Sequence, residues 1–168
     1  MQLDHSEHKF KKQKFPIIIL CDRIRTPENI GMIFRVAEAF GVEKIILNSE
    51  SPSPEDRSVK RISRDANKIV SYNRSENATL ELRNLKELGY RIIALEITSN
   101  SKPIQELKIN NEKIVLVLGA ERNGISHELL NECDDMVHIT MYGNNSSMNV
   151  VNALSIALFE LTNKLVKD

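Results

Sequence analysis

Tryptophan is absent from this sequence, and cysteine, glycine and proline are scarce: 168 residues hold two Cys, six Gly and five Pro. Cys21 and Cys133 show no CxxC or Cys/His spacing, which excludes a disulfide framework and a zinc module and leaves two thiols of the kind found in cores. So little glycine and proline excludes a collagen-like or low-complexity chain. No segment reaches 18 uninterrupted apolar residues, so no membrane-spanning helix is expected. The polar stretch Met1 to Lys14 has no apolar run before Phe15, so no secretory signal is expected and the expected location is the cytoplasm. An excess of charge is missing too. Lys and Arg together number 23, as do Asp and Glu, and this balance counts against a general nucleic-acid binder, whose domain would be strongly basic.

What is present is an ordinary globular composition, 41% hydrophobic and 27% charged, in a length that suits one domain with a core of its own. The expected organisation is a basic, flexible arm over 1–14 and a single domain over 15–168. Charge is unevenly spread. Between 57 and 68 stand Arg57, Lys60, Arg61, Arg64 and Lys68 against Asp65 alone, and the arm carries Lys9, Lys11, Lys12 and Lys14 against Asp4 and Glu7. Each patch is either a solvated face or a phosphate-contacting surface, since phosphate contacts require local clusters of this kind.

Apolar runs and breakers alternate along the chain. Phe15 to Cys21 predicts a strand, and Thr26-Pro27 predicts a helix start, with Thr26 as cap and Pro27 at the first position, where its missing N–H costs nothing. That helix runs to Phe40 and stops at Gly41. Val42 to Leu47 predicts a second strand, and Ser49 to Asn67, rich in Ser, Pro and charge, predicts a long surface loop with room for one helical turn. There follow a strand near Ile69 to Tyr72, a helix from Asn77 to Leu88 ended by Gly89, a strand Tyr90 to Leu95 and a turn-rich stretch around Pro103. A strand Ile114 to Leu118, a helix from Ser126, a strand Met136 to Thr140 and a last helix to Val166 complete the series. Strands that are continuously apolar and alternate with helices indicate an α/β doubly wound, mostly parallel sheet. The last helix carries one long apolar stripe, and Ile156 and Phe159 lie off it, which suggests either a second contact surface or two scattered exposed residues.

In such sheets ligands bind in the loops at the carboxyl ends of strands. Three of these loops are dense in polar and glycine residues: Asp22 to Arg35 (DRIRTPENIGMIFR), Gly119 to Ser126 (GAERNGIS) and Met141 to Asn149 (MYGNNSSMN). The second nearly matches a P-loop, but Ile125 stands where Lys is required and Glu121 would repel a polyphosphate. No GxGxxG follows a strand, which weakens a nicotinamide or flavin site. His5, His8, His127 and His138 form no metal pattern or triad, and each reads as surface or satisfied core.

The three loops together resemble the three-motif signature of the SpoU-type (TrmH-type) RNA 2′-O-ribose methyltransferases of the SPOUT superfamily. The motifs are Asn29-Ile30-Gly31 with Arg35, Leu118-Gly119-Ala120-Glu121 with Gly124, and Ile139-Thr140-Met141 with Gly143, Ser147-Met148-Asn149 and Ala153. Their order and intervals match from Pro16 to the end of the chain. Thr140 departs from the family, which usually has Pro there, and this touches the geometry of the turn. The resemblance implies a C-terminal trefoil knot, a homodimer with the final helix near the interface, and S-adenosyl-L-methionine as cofactor without a metal. It implies cofactor contacts at Leu95, Gly119, Ile139, Met141, Ser147 and Met148, and a glycine at 119 suits a backbone that approaches its ligand closely.

Arg35 is the residue the family uses in catalysis, where it is proposed as a base. Arginine stays protonated far above neutral pH, so a forked donor that orients phosphate and stabilises developing alkoxide is the better reading. Asn29, Glu121, Ser147 and Asn149 would support it. The expected RNA contacts are Arg57, Lys60, Arg61 and Arg64. A catalytically inactive RNA-binding dimer of the same fold is the alternative, disfavoured because Arg35 and Asn29 are both present. The short arm favours tRNA over rRNA as the substrate. The small size resembles anticodon wobble-position enzymes, whereas Ile62 to Lys68 resembles D-loop guanosine enzymes.

Overall fold

The computed structural model describes residues 10–166, so the first nine residues, with Lys9, His5 and His8, lie outside the described residues. Seven strands form one sheet: β1 (Phe15–Cys21), β2 (Val42–Asn48), β3 (Ser71–Ser75), β4 (Tyr90–Leu95), β5 (Lys102–Pro103), β6 (Lys113–Leu118) and β7 (Asp135–His138). Their order across the sheet is β3-β2-β1-β6-β4-β7-β5, and every neighbouring pair is parallel. The central strands are buried on both faces, which is why FPIIILC and KIVLVL are continuously apolar.

Helices α1 (Pro27–Ala39) and α6 (Val150–Leu165) cover one face, where Ile17, Ile19 and Cys21 meet Ile30, Phe34, Leu154 and Leu158. Helices α4 (Ala78–Glu87) and α5 (His127–Leu130) cover the other, where Ile18 and Leu20 share a core with Leu82, Leu85 and Leu129. The expected doubly wound parallel sheet is therefore observed. Cys21 is fully buried and Cys133 partly so, and burial pushes the Cys133 thiol up to about 12. No helix among the described residues is long and apolar enough to cross a membrane.

Local readings needed six corrections. The segment 49–67 is not a loop: it holds α2 (Arg57–Ser63) and, with Ile69, α3 (Ala66–Ile69). Polar side chains misled the reading, because Ser63 and Asn67 are buried and hydrogen-bonded to each other at 2.8 Å, while Asn67 donates to the Pro54 carbonyl. The strand expected near Ile69 begins at Ser71 instead, because α3 takes Ile69. Thr26 caps α1 only by position, without a side-chain hydrogen bond, whereas Asn77 and Asn149 cap α4 and α6 through their side chains. The helix after Ser126 is a single turn, and the strand expected to reach Thr140 ends at His138. The stretch around Pro103 supplies β5 and a 3-10 turn over Ile104–Glu106.

Candidate functional site

Because β1, β6 and β7 run parallel, the loops that leave them open on one edge of the sheet, and that edge holds a cavity of about 540 Å³. Its walls come from the end of β4 and its loop (Leu95, Glu96, Ile97), from the loop after β6, and from the loop between β7 and α6 with the first turn of α6. Leu95, Gly119, Ile139, Met141, Ser147 and Met148 all line it. Six residues from three segments of sequence thus share one space.

The loop after β6 is shaped by its own backbone. Ala120 and Gly124 exchange amide–carbonyl hydrogen bonds of 3.2 and 2.8 Å, so the five residues between and including them form a tight hairpin. A side chain at Gly119 would put its Cβ 2.3 Å from the Gly124 carbonyl carbon and the Ile125 nitrogen. Glycine is needed there because the returning loop crosses it, a nearer cause than ligand approach. Gly31 has a similar reason: a Cβ would lie 2.8 Å from Ile62, so its absence lets α2 press onto α1.

A chain of hydrogen bonds joins all three loops at the cavity wall. The Asn29 amide donates to the Glu121 carboxylate, and the Asn149 amide donates to Asn29 Oδ1 at 3.1 Å. Asn149 also accepts the Val151 N–H at 2.8 Å, fixing the start of α6. Asn29 is buried on α1, and Glu121 and Asn149 line the cavity. A second tie lies deeper: buried Asp22 accepts the Ser126 N–H at 2.7 Å and pairs with Arg23, locking the loop after β1 to the start of α5.

Arg35 is not brought into the cavity wall. It is exposed on α1 one turn beyond Gly31, with its guanidinium against Met32 Sδ at 4.0 Å and no ion pair among the described residues. On α2, next to α1, Arg57 and Arg61, and Arg64 just past its end, are likewise exposed and form no ion pair among the described residues, whereas Lys60 pairs with Glu55 at 2.6 Å. Three of the four expected basic contacts therefore present uncommitted charge.

Sequence reasoning passed over Glu96, Ile97, Arg122, His138 and Val150, which also line the cavity. The signal existed for two of them: Glu96 directly follows β4, and His138 is the last residue of β7, so both stand at carboxyl ends of parallel strands. His138 is also hydrogen-bonded, its Nδ1 lying 2.9 Å from Ser101 Oγ.

Comparison with known proteins places this geometry. A family model described as the SpoU rRNA methylase family matches residues 16–159. A Borreliella burgdorferi protein described as an uncharacterized tRNA/rRNA methyltransferase is 32% identical over 93% of this chain, which spans 68% of that protein. The 23S rRNA (guanosine-2′-O-)-methyltransferase RlmB of Vibrio parahaemolyticus is 32% identical over 86% of this chain, which spans 58% of it. Among solved structures, an AdoMet-bound rRNA methyltransferase from Sinorhizobium meliloti superposes with a TM-score of 0.85 at 26% identity, over 94% of this chain and 60% of that one. The A. aeolicus TrmH/SpoU tRNA modifying enzyme does so with a TM-score of 0.81 at 25% identity, over 91% and 77%. With a family match over most of its length and its three loops joined around one cavity, the chain belongs to the SpoU rRNA methylase family.

Proposed function

We propose that this chain is an RNA methyltransferase that uses S-adenosylmethionine to methylate a ribose 2′-hydroxyl in the cytoplasm. The observation that carries the reading is the hydrogen-bonded chain Glu121–Asn29–Asn149, which assembles the three loops around a cavity of small-molecule size. The wall suits an adenosine cofactor that carries an amino-acid tail: Glu96, Glu121 and Arg122 stand among apolar side chains and loop backbone. Leu95, Gly119, Ile139, Met141, Ser147 and Met148 would hold the cofactor. When bound, S-adenosylmethionine supplies an electrophilic methyl group, whose bond to sulfur breaks as its bond to the ribose oxygen forms, the electron pair remaining on sulfur.

The protein's own task is to position a poor nucleophile and stabilise charge on it. Arg35 offers a forked donor toward the phosphate and the reacting oxygen, whose proton passes to water. Asn29, Glu121, Ser147 and Asn149 keep the loops in register around the cavity. Exposed Arg57, Arg61 and Arg64, with Lys60, extend that cationic surface along α2 toward RNA phosphates. A homodimer that covers Ile156 and Phe159 of α6 fits their exposure of 41% and 58%. A trefoil knot in the C-terminal region fits the position of β5, outside β7, because the loop from Glu96 to Ser101 has to step across β7 to reach it.

Between RNA classes the reading favours tRNA, supported by the likeness of Ile62 to Lys68 to D-loop guanosine enzymes. The test is incubation with labelled S-adenosylmethionine and separated tRNA and rRNA, followed by mass-spectrometric mapping of 2′-O-methylnucleosides. A label on ribose in tRNA is expected. Cofactor and RNA binding without transfer to any RNA would favour the inactive binding dimer.

A further inference from the structure

We infer that Glu96 is a positioning residue that sets cofactor affinity by clamping the loop after β6 against the loop after β4; this rests on the cofactor reading above. Glu96 lines the cavity, and each of its carboxylate oxygens takes one backbone amide: Oε1 accepts the Ile97 N–H and Oε2 the Ile125 N–H, both at 3.0 Å. Its own N–H donates to the Val137 carbonyl of β7 at 2.9 Å. One residue thus fastens the ends of β4 and β7 and the exit of the 119–125 loop. No cation pairs with it among the described residues, so its bonding capacity is directed at backbone.

The opposite side of the clamp is built to receive it. Gly124 has φ +64°, a conformation that favours glycine, and a Cβ there would lie 2.5 Å from Glu96 Oε2. The carboxylate occupies the space a side chain at 124 would take, and Gly124 in turn closes the hairpin that crosses Gly119. Releasing Glu96 therefore loosens the hairpin at its Gly124–Ile125 exit, with the Glu121–Asn29 and Ser126–Asp22 bonds still in place and the sheet beneath untouched.

Calorimetric titration of the full chain with S-adenosylmethionine and, separately, S-adenosylhomocysteine tests this, with thermal melting as the folding control. For Glu96→Ala, Kd should rise about tenfold or more for both ligands, the scale of losing charge-assisted hydrogen bonds, and the single-turnover rate at saturating cofactor should fall far less. Glu96→Gln, which keeps one acceptor and the volume, should recover part of the affinity. Gly124→Ala should weaken binding in the wild type and add less in the Glu96→Ala background, since the clash it creates is with the missing carboxylate. Loss confined to the cationic ligand would overturn the clamp in favour of a direct charge effect. Unchanged affinity in a folded Glu96→Ala protein would overturn it outright. Failure of the wild type to bind either ligand would instead refute the cofactor assignment on which the inference rests.

Discussion

Arg35 and Asn29 stand six residues apart on one helix and meet different surroundings. Asn29 is buried and bonded to both other loops, so it is committed to structure at the cavity, whereas Arg35 is exposed and has no carboxylate partner among the described residues. Arg35→Ala should therefore leave the fold and cofactor affinity nearly unchanged and lower the single-turnover methylation rate by about 10²-fold, the usual loss for one such donor. Arg35→Lys keeps the charge without the fork and should recover little. If Arg35 acts as a fixed cation, the rate should keep rising with pH as the ribose hydroxyl ionises more easily; a plateau would mark a titrating base. A wild-type rate for Arg35→Ala on the correct RNA would remove it from the mechanism. At this scale the sequence identified positions better than causes. Gly119 was legible as a glycine that something must approach, but the approaching group is the protein's own backbone at Gly124 and Ile125, and a single sequence does not reveal how a loop returns on itself.

Elements were legible wherever apolar periodicity carried them. FPIIILC, YRIIAL and the stripe of α6 gave strands and a helix that match to within a residue or two. The segment 49–69 was not, because α2 and α3 each send only one apolar side chain deep into the core, Val59 and Ala66, and are otherwise held by buried Ser63 and Asn67 and by the bare surface of Gly31. Recognising α2 as a helix sharpens the RNA prediction, since it places Arg57 and Arg61 one turn apart on a face. Reversing both charges should weaken RNA binding and reduce its salt slope by about 2, with cofactor binding intact; unchanged affinity and slope in a filter-binding series would return α2 to a solvated face. Another prediction concerns the starts of β4 and β7. Burial opposes the charge of Asp135, but hydrogen bonds from Lys102 and Arg91 outweigh it and hold the carboxyl below its usual range. A carboxyl depressed by folding stabilises the protein above its unfolded pKa, and that contribution is lost as pH falls through the folded value. Asp135→Asn should thus cost about 1–3 kcal/mol near neutral pH, and the gap from wild type in urea melts should narrow below about pH 4. A gap independent of pH would assign the cost to packing.

For the whole molecule, the doubly wound class and the edge that carries the site followed from alternation and from the rule that ligands gather at strand carboxyl ends. Strand order did not follow, because β6 and β7 take places far from their sequence neighbours. The same scale decides the second face of α6. Ile156 and Phe159 are exposed on a helix whose other face is buried in the core, and a partner copy would remove them from water. Phe159→Glu should shift sedimentation from dimer toward monomer while a shared circular-dichroism spectrum shows the fold retained; a wild type that already sediments as a monomer would refute the dimer.

Strand β6 fills the centre of the sheet, between β1 and β4, although both are synthesised before it. Until residues 113–118 leave the ribosome, β4 has no central neighbour, while every pairing among β1, β2 and β3 is available to them. If that part folds first, its product contains Asn29 and Arg35 and lacks the cofactor walls contributed by residues 119–150. Such late, distant pairings are slow to form because a long chain segment must close before any contact rewards it. In pulse-labelled refolding the amides of β1 and β2 should gain protection before those of β4, and simultaneous protection would mean that the N-terminal half waits, unfolded, for a strand made about a hundred residues after the first.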